Sequence, residues 1–84
     1  MVYFILTRSG FEELRSQQNM VPSFLWVNDG VLSATELLDL RNSGIDVTNF
    51  ARFIDPHDLS AINKAVFTVQ EHCPGKRIWV EYVP

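Results

Sequence analysis

Six polar residues sit in three short segments that each follow an apolar run. Arg8 and Ser9 lie in Thr7-Arg8-Ser9-Gly10, Asp29 in Asn28-Asp29-Gly30, and Asp55, His57 and Asp58 in Asp55-Pro56-His57-Asp58. Gathered in one place, a guanidinium, an imidazole and three carboxylates could grip a phosphate- or carboxylate-bearing small molecule. The carboxylates could instead hold Mg²⁺ through their oxygens. Most of these residues also have a structural reading. Ser9 and Glu12 form a capping box, Asp55 is an N-cap with Pro56 at the first helical position, and Asp58 favours the positive end of the same helix. Asn28-Asp29-Gly30 is turn chemistry. Arg8 and His57 are left without a structural task, so the ligand-binding expectation rests on them.

Other chemistry is poorly supported. Thr7-Arg8-Ser9-Gly10 has a strand before it and a helix after it, but it carries one glycine and no lysine, short of a phosphate cradle. His57, His72 and Cys73 are the soft metal ligands. A helix between the two histidines separates them by roughly 22 Å, and no second cysteine completes a tetrahedral shell, so no metal site is expected. Cys73 continues an apolar stripe into a helix C-terminus, whose negative end disfavours a thiolate, and reads as a core residue. No cofactor is expected unless the rim holds Mg²⁺, and no motif commits the chain to catalysis. Phe67, Trp79 and Tyr82 form the alternative candidate surface. Phe67 stands about 100° off the buried stripe of its helix, and Trp79 and Tyr82 fall on opposite faces of the last strand. Aromatics at a half-exposed edge suit a protein interface or a homodimer.

The elements that must position these residues follow from periodicity. Val2–Leu6, Phe24–Val27, Ile45–Phe50 and Ile78–Val83 read as strands. Helices are expected from Ser9, from Ser33 and from Asp55. Ser33-Ala34-Thr35-Glu36 is a capping box flanked by the Leu32 and Leu37 staple, and that helix ends at Gly44. Leu59, Ile62, Val66, Val69 and Cys73 mark the buried stripe of the third helix, which Pro74-Gly75 ends. The polar run Arg15–Asn19 leads into a loop closing at Pro22. The order is β-α-β-α-β-α-β, giving an α/β domain over residues 1–84 with a four-stranded, mainly parallel sheet and three helices. A mixed sheet, with Val31-Leu32 turning back antiparallel, is the alternative.

Composition bounds the function. The chain has 84 residues, 46% hydrophobic and 20% charged, as ordinary globular domains do. Its seven basic residues are scattered and the net charge is −3, which argues against nucleic acid. Val2–Leu6 is too short to span a bilayer and lacks signal-peptide features, and one cysteine supports no internal disulfide; no membrane association and a cytoplasmic location are expected. These readings favour a small non-catalytic binding or regulatory module acting through protein contacts. A small enzyme or binder of an anionic small molecule is the alternative.

Overall fold

A computed structural model describes residues 1–17 and 24–83. Four short strands, β1 (Val2–Ile5), β2 (Phe24–Val27), β3 (Asp46–Asn49) and β4 (Ile78–Val80), alternate with helices α1 (Arg8–Ser16), α2 (Ala34–Asn42) and α3 (Leu59–His72). The sheet is parallel throughout, in the order β3-β2-β1-β4, with Tyr3 opposite Leu25 on one side and Trp79 on the other. Every crossover passes through a helix, as parallel strands require.

The apolar runs of β1 and β2 are continuous because both faces of the sheet are covered. Val2, Phe4, Leu6 and Trp26 pack with Ile62, Ala65 and Val69 of α3, and with Cys73 at its end, on one face. Ile5, Leu25, Val27 and Val47 pack with Phe11, Val31 and Leu32 on the other, with Leu14 of α1 and Leu37 and Leu40 of α2 against them. The chain steps from β1 to β2 to β3 under α1 and α2. It then recrosses the sheet through α3 to lay β4 beyond β1. The strand order therefore reverses between β1 and β4, where open α/β sheets form their ligand crevice.

Several local expectations shift. The N-cap of α1 is Thr7, whose hydroxyl accepts from the Gly10 amide at 3.0 Å, so Ser9 already lies inside the helix. The N-cap of α3 is Asp58, which accepts from Ala61 N at 3.1 Å. Asp55 instead closes a turn by accepting from His57 N at 2.9 Å, which leaves Pro56 and His57 before the helix. Two cap-forming aspartates three residues apart compete for one helix start, and the later one wins. Leu59 is accordingly 61% exposed rather than part of the stripe, whose buried members are Ile62, Ala65 and Val69 with Cys73 beyond. Val31 and Leu32 are a buried bend under the start of α2, so the mixed sheet is excluded. Strand β4 stops at Val80. The loop expected to close at Pro22 lies outside the described residues.

The second helix matches its sequence signals. Ser33 and Glu36 exchange both capping-box hydrogen bonds, at 3.0 and 3.1 Å. At the other end Gly44 takes φ +90°, and Ile45 N donates to Leu40 O at 3.1 Å. That 6→1 bond across a left-handed residue is a Schellman ending.

Candidate functional site

The first three strands are adjacent and parallel, so the loops after them share one rim. An open cleft of about 460 Å³ lies there, lined among others by Thr7, Arg8, Asp29, Val31, Phe53 and Pro56. The rim thus brings Arg8 and Asp29 together. Ser9 lines a separate recess with Thr7, Glu81 and Tyr82, and Asp55, His57 and Asp58 do not line the cleft. Among the described residues, no group of three or more histidine, cysteine, aspartate or glutamate side chains is placed to hold a metal ion.

Arg8 has a structural task that its sequence position does not reveal. Its guanidinium donates to Glu36 at 2.8 Å and to Val31 O at 3.1 Å, and pairs with Glu12 at 2.9 Å. It therefore ties α1 to the start of α2. Glu36 answers on two sides: the Ser33 backbone amide and then Arg8 hold its carboxyl below the usual glutamate range, and the same pairing raises Arg8. With two carboxylates already on it, Arg8 retains little field for an incoming anion. Asp29 accepts a long 3.4 Å bond from Asn49 Nδ2, and His57 is exposed.

Two residues that hold the rim together are not evident as site residues in the sequence. Asn28 is fully buried; its amide donates to Leu6 O at 3.1 Å and Ile54 O at 2.7 Å, while its carbonyl accepts from Ile54 N at 2.8 Å. One side chain thereby clamps the loops after β1 and β3. Glu81 fills the crevice between β1 and β4. It accepts from Leu6 N at 2.8 Å, from Thr7 N at 2.9 Å and from the Thr7 hydroxyl. A carboxylate of the chain itself thus sits at the α1 N-terminus, where a ligand anion would otherwise bind. Gly10 makes this approach feasible, since a methyl group there would overlap the Glu81 carboxylate.

The two edges of the sheet differ. On β3, Phe50 N donates to Val27 O, so the alternation turns the backbone groups of Val47 outward. The Arg41 guanidinium covers the outward Val47 carbonyl at 3.0 Å, and exposed Asp46 adds a charge. Such charges blunt an edge against pairing. Strand β4 has no strand outside it among the described residues. Trp79 is 53% exposed on its α1 face, Tyr82 is 61% exposed just beyond it, and Phe67 on α3 is 64% exposed. All three aromatic candidates thus stand in solvent.

No family model matches the chain, and neither do curated proteins or solved structures.

Proposed function

We propose that the chain is a small non-catalytic binding or regulatory module that makes its protein contacts through the outer edge of β4. The observation that carries this reading is the asymmetry of the sheet: on one edge Arg41 takes the outward Val47 carbonyl beside exposed Asp46, while the other presents Trp79 and, just past the strand, Tyr82. Exposed aromatics beside a strand with no outer neighbour among the described residues offer both backbone pairing and apolar area to a protein. A single buried thiol, Cys73, suits the reducing cytoplasm, where we place the protein. Nucleic acid is a poor partner, because Arg8 is neutralised by two glutamates and Arg41 is engaged with β3. No helix among the described residues is long and apolar enough to cross a membrane.

The test is photo-crosslinking in the producing cells, with a benzophenone amino acid at position 82 or, as control, at position 46 on the other edge. We expect protein adducts from position 82 and few from position 46. Equal or absent adducts at both positions would sink the reading.

The rim cleft supports a second reading, a binder of phosphate- or carboxylate-bearing small molecules, because Arg8 lines it. Under that reading such ligands raise the melting temperature and Arg8→Ala abolishes the rise. Under the preferred reading no member of a nucleotide and sugar-phosphate panel does so.

A further inference from the structure

We propose that β4 pairs antiparallel with β4 of a second copy of this chain about a two-fold axis at Trp79, merging two four-stranded sheets into one. This rests on the β4 edge being a protein contact surface, and it names the partner.

The inner side of β4 fixes which backbone groups remain. Val2 N donates to Arg77 O at 2.8 Å and Glu81 N donates to Phe4 O at 3.0 Å, with Trp79 in register with Tyr3. In a parallel ladder the same alternate residues face one neighbour, so the odd-numbered residues of β4 bond to β1. The N–H and C=O groups of Ile78 and Val80 therefore point to the outer edge. An antiparallel neighbour must set outward-facing residues against outward-facing residues. Placing Ile78 opposite Val80 of the second copy, and Val80 opposite its Ile78, uses all four of these groups. That register puts the two-fold axis on Trp79.

Charge favours the same register. With the axis at Trp79, the basic end of each strand, at Lys76 and Arg77, comes beside the Glu81 end of the other, twice by symmetry; the Glu81 carboxylate stays on Leu6 N, Thr7 N and the Thr7 hydroxyl, so the attraction is between strand ends and not a direct ion pair. An axis at Ile78 would oppose Arg77 to Trp79, and an axis at Val80 would oppose it to Val83; neither brings the basic and acidic ends together. Cross-strand opposite charges stabilise a sheet, whereas unlike registers leave them unmatched. Trp79 and Trp79 of the second copy become a non-hydrogen-bonded pair, the closer kind, so two half-exposed indoles cover one another on the α1 face. At the β3 edge one of the outward acceptors, the Val47 carbonyl, is already taken by Arg41.

Sedimentation velocity on the full chain, from low to high micromolar concentration, tests the partner. A reversible monomer–dimer equilibrium is expected, weakened at least about tenfold by Trp79→Glu, and unchanged by Lys64→Glu on α3. Mild oxidation tests the register. Trp79→Cys should give an intermolecular disulfide, because Cα atoms of such a pair stand about 4.5 Å apart, within disulfide reach. Tyr82→Cys, opposed to Lys76, should not. A dimer that crosslinks through position 82 and not 79 overturns the register. A strict monomer at every concentration overturns self-pairing, yet leaves the contact-module reading intact if position 82 still crosslinks another protein in cells.

Discussion

Asn28 shows how much one buried polar side chain can organise at the end of a sheet. Its three hydrogen bonds satisfy Leu6 O, Ile54 O and Ile54 N, which lie in the loops after two different strands. A buried backbone group stripped of its partner carries a full desolvation penalty. Asn28→Ala should therefore lower the unfolding free energy by about 3 kcal/mol in urea, with little change in the denaturant slope. A loss below about 1 kcal/mol would mean that water replaces the clamp. The sequence could not announce this role, because Asn28-Asp29-Gly30 fits any tight turn and only the fold brings Ile54 to Asn28. The task of Arg8 is hidden for the same reason: its partner Glu36 lies 28 residues on, and only the fold brings the two together. Glu36, held by the Ser33 amide and then by Arg8, also sets a pH dependence. Folding holds the Glu36 carboxyl below its unfolded value, so the stabilisation is complete above the ordinary glutamate range and is lost as pH falls through the folded value. Between about pH 5 and pH 3 the melting temperature of the native chain should fall more steeply than that of Glu36→Gln. Parallel curves would show that the Ser33 bond and the Arg8 pair together contribute nothing measurable.

At the level of elements, β1, β2, the α2 capping box and the Gly44 ending were legible because each is written in neighbouring residues. The starts of α1 and α3 were not, because Thr7 and Ser9, or Asp55 and Asp58, offer equivalent caps and tertiary contacts choose between them. Glu81 makes the choice at α1. By binding the Leu6 and Thr7 amides and the Thr7 hydroxyl, it orients Thr7 toward Gly10. This couples α1 to the chain that leaves β4. Adding a methyl group at position 10 should raise intrinsic helix propensity by about 1 kcal/mol, yet it would displace the Glu81 carboxylate. Gly10→Ala is therefore expected to destabilise by about 2 kcal/mol in the native chain and to become neutral or stabilising in a Glu81→Ala background. A double-mutant cycle in urea measures the coupling. Additive effects would mean that Glu81 moves aside without loss.

Over the whole molecule, the covered faces and the two edges place different demands on the sequence. Helices on both faces bury β1 and β2 and set the fold class through hydrophobic pattern alone. An edge is defined only once strand order is known, and strand order was not readable because α3 could have returned β4 to either side. The outcome leaves a chain with net charge −3 and a short strand bearing Trp79, with Arg77 just before it and Glu81 just after. If that strand pairs with itself, folding and association are linked, since only the folded edge presents Ile78 and Val80 in register. Mass action then requires the melting temperature to rise with protein concentration, because dimerisation stabilises the native state and not the unfolded chain. Scans at low and high micromolar concentration should show this rise in the native chain. Trp79→Glu, altering a residue already 53% exposed, should remove the dependence while leaving the dilute melting temperature nearly unchanged. A melting temperature that ignores concentration in the native chain would mean that the edge stays unpaired between copies and that its aromatics await a different protein.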